Sequence, residues 1–232
     1  MTENIYIIGD VHGCYKTLLA LIDKLPNKDN KICFVGDLCD KGNNSKDVIE
    51  FVKSNNYDCV LGNHEVMFID NVTEILKTNK IDEESSFWIN RCGGKETLEN
   101  YDNDKKLLQE HISYFKTLPL FLEYKHLKTK DNRYLVVSHS HILSSWKYKD
   151  YAKDSSGFKA LENECLNSRY KKHDNTNIFN VYGHTPLENP SITEYNANID
   201  LGCFFKNEYN SGKLCALEFP SMQVIMQENV EE

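Results

Sequence analysis

Over the first third of the chain, short apolar runs alternate with stretches whose apolar residues recur at helical spacing. Ile5-Tyr6-Ile7-Ile8 and Ile32-Cys33-Phe34-Val35 read as buried strands, and 57–61 as a third. Leu18, Leu19, Leu21, Ile22 and Leu25 place a helix over 15–25, and shorter periodic segments predict helices over 47–53 and 65–76. Strands that alternate with helices pair in parallel through right-handed crossovers, so an α/β architecture follows. The middle of the chain, roughly 79–116, carries no strand signal. It has a turn region from Trp88 to Gly94 and an amphipathic helix over 105–116, and reads as a helical insertion. Strands resume at 134–137, 178–182, 198–201, 214–219 and 223–227. The last two have hairpin spacing and add antiparallel pairs to a mixed sheet.

Composition narrows the function classes. At 232 residues and 40% apolar, the chain can bury a sizeable core, which excludes a wholly disordered chain. The expected organisation is one domain over 1–232 with the insertion at about 79–118. No apolar run approaches the ~18 residues of a membrane span, and the acidic start Met1-Thr2-Glu3-Asn4 is unlike a signal peptide, so a cytoplasmic protein with no membrane partner is expected. Acidic residues outnumber basic ones, 35 to 27. Positive charge is scattered in short pairs such as Lys105-Lys106 and Lys171-Lys172, which argues against binding to a nucleic-acid duplex. The eight cysteines include no Cys-x-x-Cys pair and several lie inside apolar runs, so reduced thiols acting as small hydrophobes are expected.

The polar residues fall where the strands end. Gly9-Asp10-Val11-His12-Gly13 follows the first strand, Gly36-Asp37-Leu38-Cys39-Asp40-Lys41-Gly42 the second and Gly62-Asn63-His64-Glu65 the third. Later strands lead into Ser138-His139-Ser140-His141 and Gly183-His184-Thr185-Pro186. Open α/β sheets bind ligands at the carboxyl ends of their strands, so these clusters converge on one edge. Carboxylate, imidazole and one amide oxygen, without thiolate, suit Mn, Fe or Zn rather than Ca. Six ligands fit two divalent ions that share a carboxylate. Asp37 is the natural bridge, with Asp10 and His12 on one ion and Asn63, His139 and His184 on the other. Taken singly, each cluster also reads as an ordinary helix cap or turn; it is the joint occurrence that points to a site.

The first three clusters together resemble the signature of the calcineurin-like metallophosphoesterases. More narrowly they are similar to the phosphoprotein phosphatase superfamily and to its bacteriophage lambda type of serine/threonine phosphatases, whose near relatives include symmetrical diadenosine tetraphosphate hydrolases. The resemblance extends through Trp88, Gly93-Gly94, Leu118-Pro119-Leu120, the His139 strand, Gly183-His184-Thr185-Pro186 and Ile199-Asp200. It implies a β-sandwich of mixed sheets flanked by helices and the same six metal ligands. It also implies His64 as general acid, Asp40 as the carboxylate that orients it, and direct attack on phosphorus by a hydroxide bridging two metal ions, Mn foremost.

Two features depart from the family pattern. Lys41 stands where an arginine fork usually grips phosphate, a point charge in place of a bidentate donor. His141 is unusual and reads as a surface histidine or as one reaching the site rim. Arg169, in Leu166-Asn167-Ser168-Arg169, resembles a second phosphate-binding arginine, an exposed helix arginine being the other reading. The expected activity is a serine/threonine protein phosphatase acting on phosphoproteins or small phosphorylated substrates. The alternative is symmetrical hydrolysis of dinucleoside tetraphosphates.

Overall fold

A computed structural model describes residues 4–169, 175, 177–206 and 212–232; the Lys171-Lys172 pair lies outside them. The strands in chain order are β1 (Ile5–Ile8), β2 (Lys31–Phe34), β3 (Asp58–Cys59), β4 (Phe121–Lys128), β5 (Tyr134–Ser138), β6 (Ile178–Tyr182), β7 (Ser191–Ile192), β8 (Asn196–Asn198), β9 (Lys213–Phe219) and β10 (Gln223–Glu228). The helices are α1 (Tyr15–Lys24), α2 (Ser45–Ser54), α3 (Asn63–Thr78), α4 (Glu83–Arg91), α5 (Gly94–Tyr101), α6 (Lys105–Phe115) and α7 (Ser156–Asn167). Two five-stranded sheets result, ordered β10-β9-β1-β2-β3 and β4-β5-β6-β8-β7. In the first, β1, β2 and β3 run parallel and β9 joins β1 antiparallel. In the second, β5, β6 and β8 run parallel between antiparallel edges β4 and β7.

Successive residues of a strand point to opposite faces, and here each face is buried in a different cluster. Ile5, Ile7, Cys33 and Val35 meet Leu135, Val137, Phe179 and Val181 between the sheets. Tyr6, Ile8 and Phe34 pack outward with residues of α1, α2, α3, α5 and α6. Val136 and Ile178 pack outward on the far side with Trp146 and with Leu161 and Cys165 of α7. A sandwich of mixed sheets between helices is therefore built from strands that are apolar on both faces.

The helical insertion is α4, α5 and α6, anchored through Phe68 of α3. The fully buried Phe68 ring meets Trp88 at 6.3 Å, Tyr101 at 5.8 Å and Phe115 at 5.3 Å between centroids, one aromatic from each inserted helix. The expected Trp88–Gly94 turn is a helix–helix junction: Asp82 caps α4 by accepting from Ser85 N–H at 2.8 Å, and the chain turns only at Gly93, with φ 93°. The sequence gives no sign of β4 because its register shifts between Tyr124 and Lys128. Four steps along β4, from Tyr124 to Lys128, oppose a single step along β5, so the next buried position after Tyr124 is Leu127 and the two-residue period is broken. The strand expected at 198–201 is β8, displaced two residues earlier. α7 lies in a stretch for which no element is predicted. All eight cysteines are free, and among the described residues no helix is long and apolar enough to cross a membrane.

Truncating Phe68 removes the ring on which three helices converge. Phe68→Ala should lower unfolding stability by about 3–5 kcal/mol, measured by urea denaturation. A loss below about 1 kcal/mol would mean that the insertion is held elsewhere.

Candidate metal centre

The carboxyl ends of β1, β2, β3, β5 and β6 meet at one edge, where loops from different strands lace together. His12 N–H donates to the Asp37 carbonyl at 2.9 Å and Gly13 N–H to that of Leu38 at 2.9 Å. Glu65, in the first turn of α3, closes the next pair of loops. Its carboxylate accepts from the N–H groups of Asp37 (2.8 Å), Leu38 (2.8 Å) and Gly62 (2.9 Å). Burial and the charge of Asp37 push the Glu65 carboxyl up to about 7, against the pull of those N–H groups. Sequence reasoning gave Glu65 no role; its position three residues after Gly62, reaching back to the N–H at the helix start, is the signal that could have found it. Close approach explains two glycines: a Cβ at Gly62 would strike an oxygen of Asp37, and one at Gly183 an oxygen of Asp10.

The backbone is strained where the polar side chains enter. His12, Asp37, Asp40, Lys41 and His184 have φ of 47°, 52°, 68°, 68° and 71°, the left-handed region that L-residues avoid. Such conformations cost of order 1–3 kcal/mol each and gather at functional sites.

His12 donates Nδ1–H to the Cys39 carbonyl at 2.8 Å, and His139 donates Nδ1–H to that of Val35 at 2.9 Å. A carbonyl can only accept, so in the neutral rings both Nε2 atoms are left without a proton. They face Asp37, His12 Nε2 lying 3.4 Å from Oδ2 and His139 Nε2 3.5 Å from Oδ1. Burial pushes both imidazoles below their ordinary range, outweighing the pull of Asp37. Asn63 Oδ1 adds a further acceptor, 2.8 Å from His139 Nε2 and 2.9 Å from His184 Nδ1. Imidazole nitrogens, a carboxylate and an amide oxygen gathered in one buried spot, with His184 Nε2 buried and without a hydrogen-bond partner, are a donor set that fits divalent metal ions. Two groups of donors lie within 4.8 Å of one another, His12–Asp37–His64 and Asp37–His139–His184, with Asp37 common to both.

Asp10 belongs to neither group but is tied to one of their members. It accepts His184 N–H at 3.0 Å, and burial together with Asp200 and Asp37 raises it well above the usual carboxylate range. Asp37 is also buried, but His139, His64, His12 and Lys41 hold it well below that range. Asp200, buried beside Asp10 and pushed up to about 6 by burial, was assigned no role from the sequence.

His64 and Asp40 form a buried pair, Nδ1 to Oδ2 at 2.7 Å. Two residues of the insertion hold the carboxylate in place: Trp88 Nε1–H donates to Oδ2 at 2.9 Å and the Thr97 hydroxyl to Oδ1 at 2.8 Å. Lys41 is drawn inward. Its ammonium donates to His12 Nε2 at 3.0 Å and lies 4.5 Å from the centre of the Phe204 ring. Arg169 is exposed at the rim, with Nη1 3.4 Å from the His184 carbonyl. His141 is not a surface histidine: only 7% exposed, it stacks on Tyr182 at 4.7 Å and 7°.

Residues 3–211 match the family model described as calcineurin-like phosphoesterase. A relative named asymmetrical bis(5'-nucleosyl)-tetraphosphatase PrpE, from Anoxybacillus flavithermus, is 28% identical, the alignment spanning 94% of this chain and 91% of that one. A crystal structure described as that of a candidate diadenosine tetraphosphatase is similar at TM-score 0.67 and 17% identity, over 100% of this chain and 96% of the other. A serine/threonine phosphatase from Saccharomyces cerevisiae is similar at TM-score 0.60 and 15% identity, over 100% and 81%. Both structural likenesses establish the shared fold.

Burial and the neighbouring His139 lower His184 to about 3, against an ordinary 6.5. Between those values the unfolded chain binds a proton that the folded chain does not, so this residue makes stability rise with pH. In EDTA, His184 should add up to about 1.4 kcal/mol per pH unit to the rise of stability with pH between about 5 and 6.5, set against the opposite contributions of Glu65 and Asp200. His184→Asn should make the slope of the thermal midpoint against pH less positive; an unchanged slope would mean the imidazole is not held neutral.

Proposed function

The chain belongs to the calcineurin-like phosphoesterase family, and we propose that within it the chain is a metal-dependent hydrolase of dinucleoside tetraphosphates, not the serine/threonine protein phosphatase that the sequence favours. The observation that carries this reading is the relative that aligns over nearly the whole of both chains and bears the tetraphosphatase name. The likeness to a serine/threonine phosphatase is of fold alone. That relative is named asymmetrical, so the proposed products are a nucleoside monophosphate and a nucleoside triphosphate, in place of the two diphosphates of symmetrical cleavage.

Asp10, His12, Asp37, Asn63, His139 and His184 would hold two divalent cations, Mn foremost with Fe or Zn as alternatives. Bound there, such ions supply Lewis acidity that neutralises phosphate charge and makes water nucleophilic near neutral pH. The chain's own residues do the rest. His64 commits Nδ1–H to Asp40, so Nε2, 3.9 Å from Asp37 Oδ2 and at the centre of the site, is the nitrogen through which a proton passes. It serves as general acid, protonating the oxygen that leaves phosphorus. Asp40, itself held by Trp88 and Thr97, fixes the ring. Lys41 and Arg169 supply positive charge to the phosphate chain, Lys41 as a point charge and Arg169 as a planar fork.

The test compares diadenosine tetraphosphate with a phosphoserine peptide on the Mn-loaded protein, separating products by chromatography. A kcat/KM at least about tenfold higher for the dinucleotide, with AMP and ATP as products, is expected. Preference for the peptide, or ADP as sole product, would overturn the reading. His64→Asn should lower kcat by about 10²–10⁴-fold with metal content, measured by mass spectrometry, unchanged. Loss of metal would make His64 a ligand instead.

A further inference from the structure

Beside His12 the structure presents a pair of aromatic rings that neither the metal centre nor proton transfer uses. Phe204 and Phe205 lie in a short 3-10 turn, Cys203–Phe205. The turn is built to hold them. Gly202 has φ 61°, and a Cβ there would come within 2.5 Å of the Phe205 ring. Cys203 is fully buried, and its carbonyl accepts from Asn229 Nδ2 at 2.6 Å. Both rings are half-buried and overlap at 3.9 Å between centroids and 35°. Phe204 meets the His12 ring edge-on at 5.4 Å. Since His12 Nε2 is 3.4 Å from Asp37, Phe204 stands a single imidazole away from the shared carboxylate.

We propose that Phe204, backed by Phe205, is the stacking platform for the nucleobase of the nucleotide whose own phosphate lies at the metal centre. This rests on the dinucleotide reading and sharpens it. Aromatic rings bind bases through their faces whatever the base, so the platform accepts dinucleotides of differing bases. The face of Phe204 is now occupied by the Lys41 ammonium, 4.5 Å from the ring centre. A phosphate is a stronger partner for that ammonium than an aromatic face or a neutral imidazole, so an arriving nucleotide draws Lys41 onto its phosphate and uncovers the ring for its base. With one imidazole between Phe204 and the shared carboxylate, the platform suits a base one ribose from the attacked phosphorus. With a phosphate further along the chain at the centre, the base would lie beyond the platform. Stacking on Phe204 and off-centre cleavage therefore select each other, and a phosphoserine side chain has no ring to place there.

The test is calorimetric titration of the Mn-loaded protein with AMP and with ribose 5-phosphate, which differ only in the base. AMP should bind about 5- to 150-fold more tightly, the range of one base–aromatic stack. In Phe204→Ala that ratio should shrink to below about threefold, and in Phe204→Trp it should be kept, since the larger ring still offers a face. Equal affinities in the unaltered protein, a ratio that survives Phe204→Ala, or a loss as complete in Phe204→Trp as in Phe204→Ala would each overturn the proposal. Selectivity for AMP in a protein that fails to cleave diadenosine tetraphosphate would leave the platform standing and remove the substrate. Cleavage without selectivity would do the reverse.

Discussion

The structure depends on imidazole nitrogens gathered around one buried carboxylate. Backbone carbonyls at Cys39 and Val35 take the Nδ1–H of His12 and His139 and turn their bare Nε2 atoms onto the two oxygens of Asp37. The Lys41 ammonium, 3.0 Å from His12 Nε2, is the positive charge the chain itself brings to this packing, and burial pushes both imidazoles down. The surrounding fold is organised to hold it. Glu65 ties three N–H groups from two loops, α3 aims its first N–H groups at the site, with His64 N–H reaching Asp37 Oδ1 at 3.1 Å, and the sheets bring five strand ends to one edge. An N-terminal helix end carries partial positive charge, which favours the ionised Asp37.

The helical insertion belongs to this arrangement. Trp88 and Thr97 reach from it to the carboxylate of Asp40, which in turn holds His64. Phe68, on the helix that begins with Asn63 and His64, is the same element's anchor to the insertion core. Helix packing and placement of the His64 ring are thus mechanically joined.

The parts of this design that were legible in the sequence are those with a local signature. Each expected ligand follows an apolar run that becomes a strand, and a strand end is recognisable from a glycine and a polar residue side by side. What escaped depends on long-range geometry. Asp200 falls inside the strand expected at 198–201, and its significance lies in its proximity to Asp10. Phe204 belongs to no motif, and only the fold sets it beside His12. His141 reads as polar and exposed, yet Tyr182, far away in sequence, provides a stacking partner. β4 lost its period to a bulge. The choice between phosphoester and dinucleotide was likewise out of reach, because the motifs describe the ligand shell and the substrate is read by residues outside it.

The left-handed backbone at His12, Asp37, Asp40, Lys41 and His184 sets durability against reactivity. At each of these positions a glycine would relax the chain while deleting the working side chain. Drift toward an inert descendant is thermodynamically downhill at several independent places, and only selection for turnover keeps the lineage in its tense form.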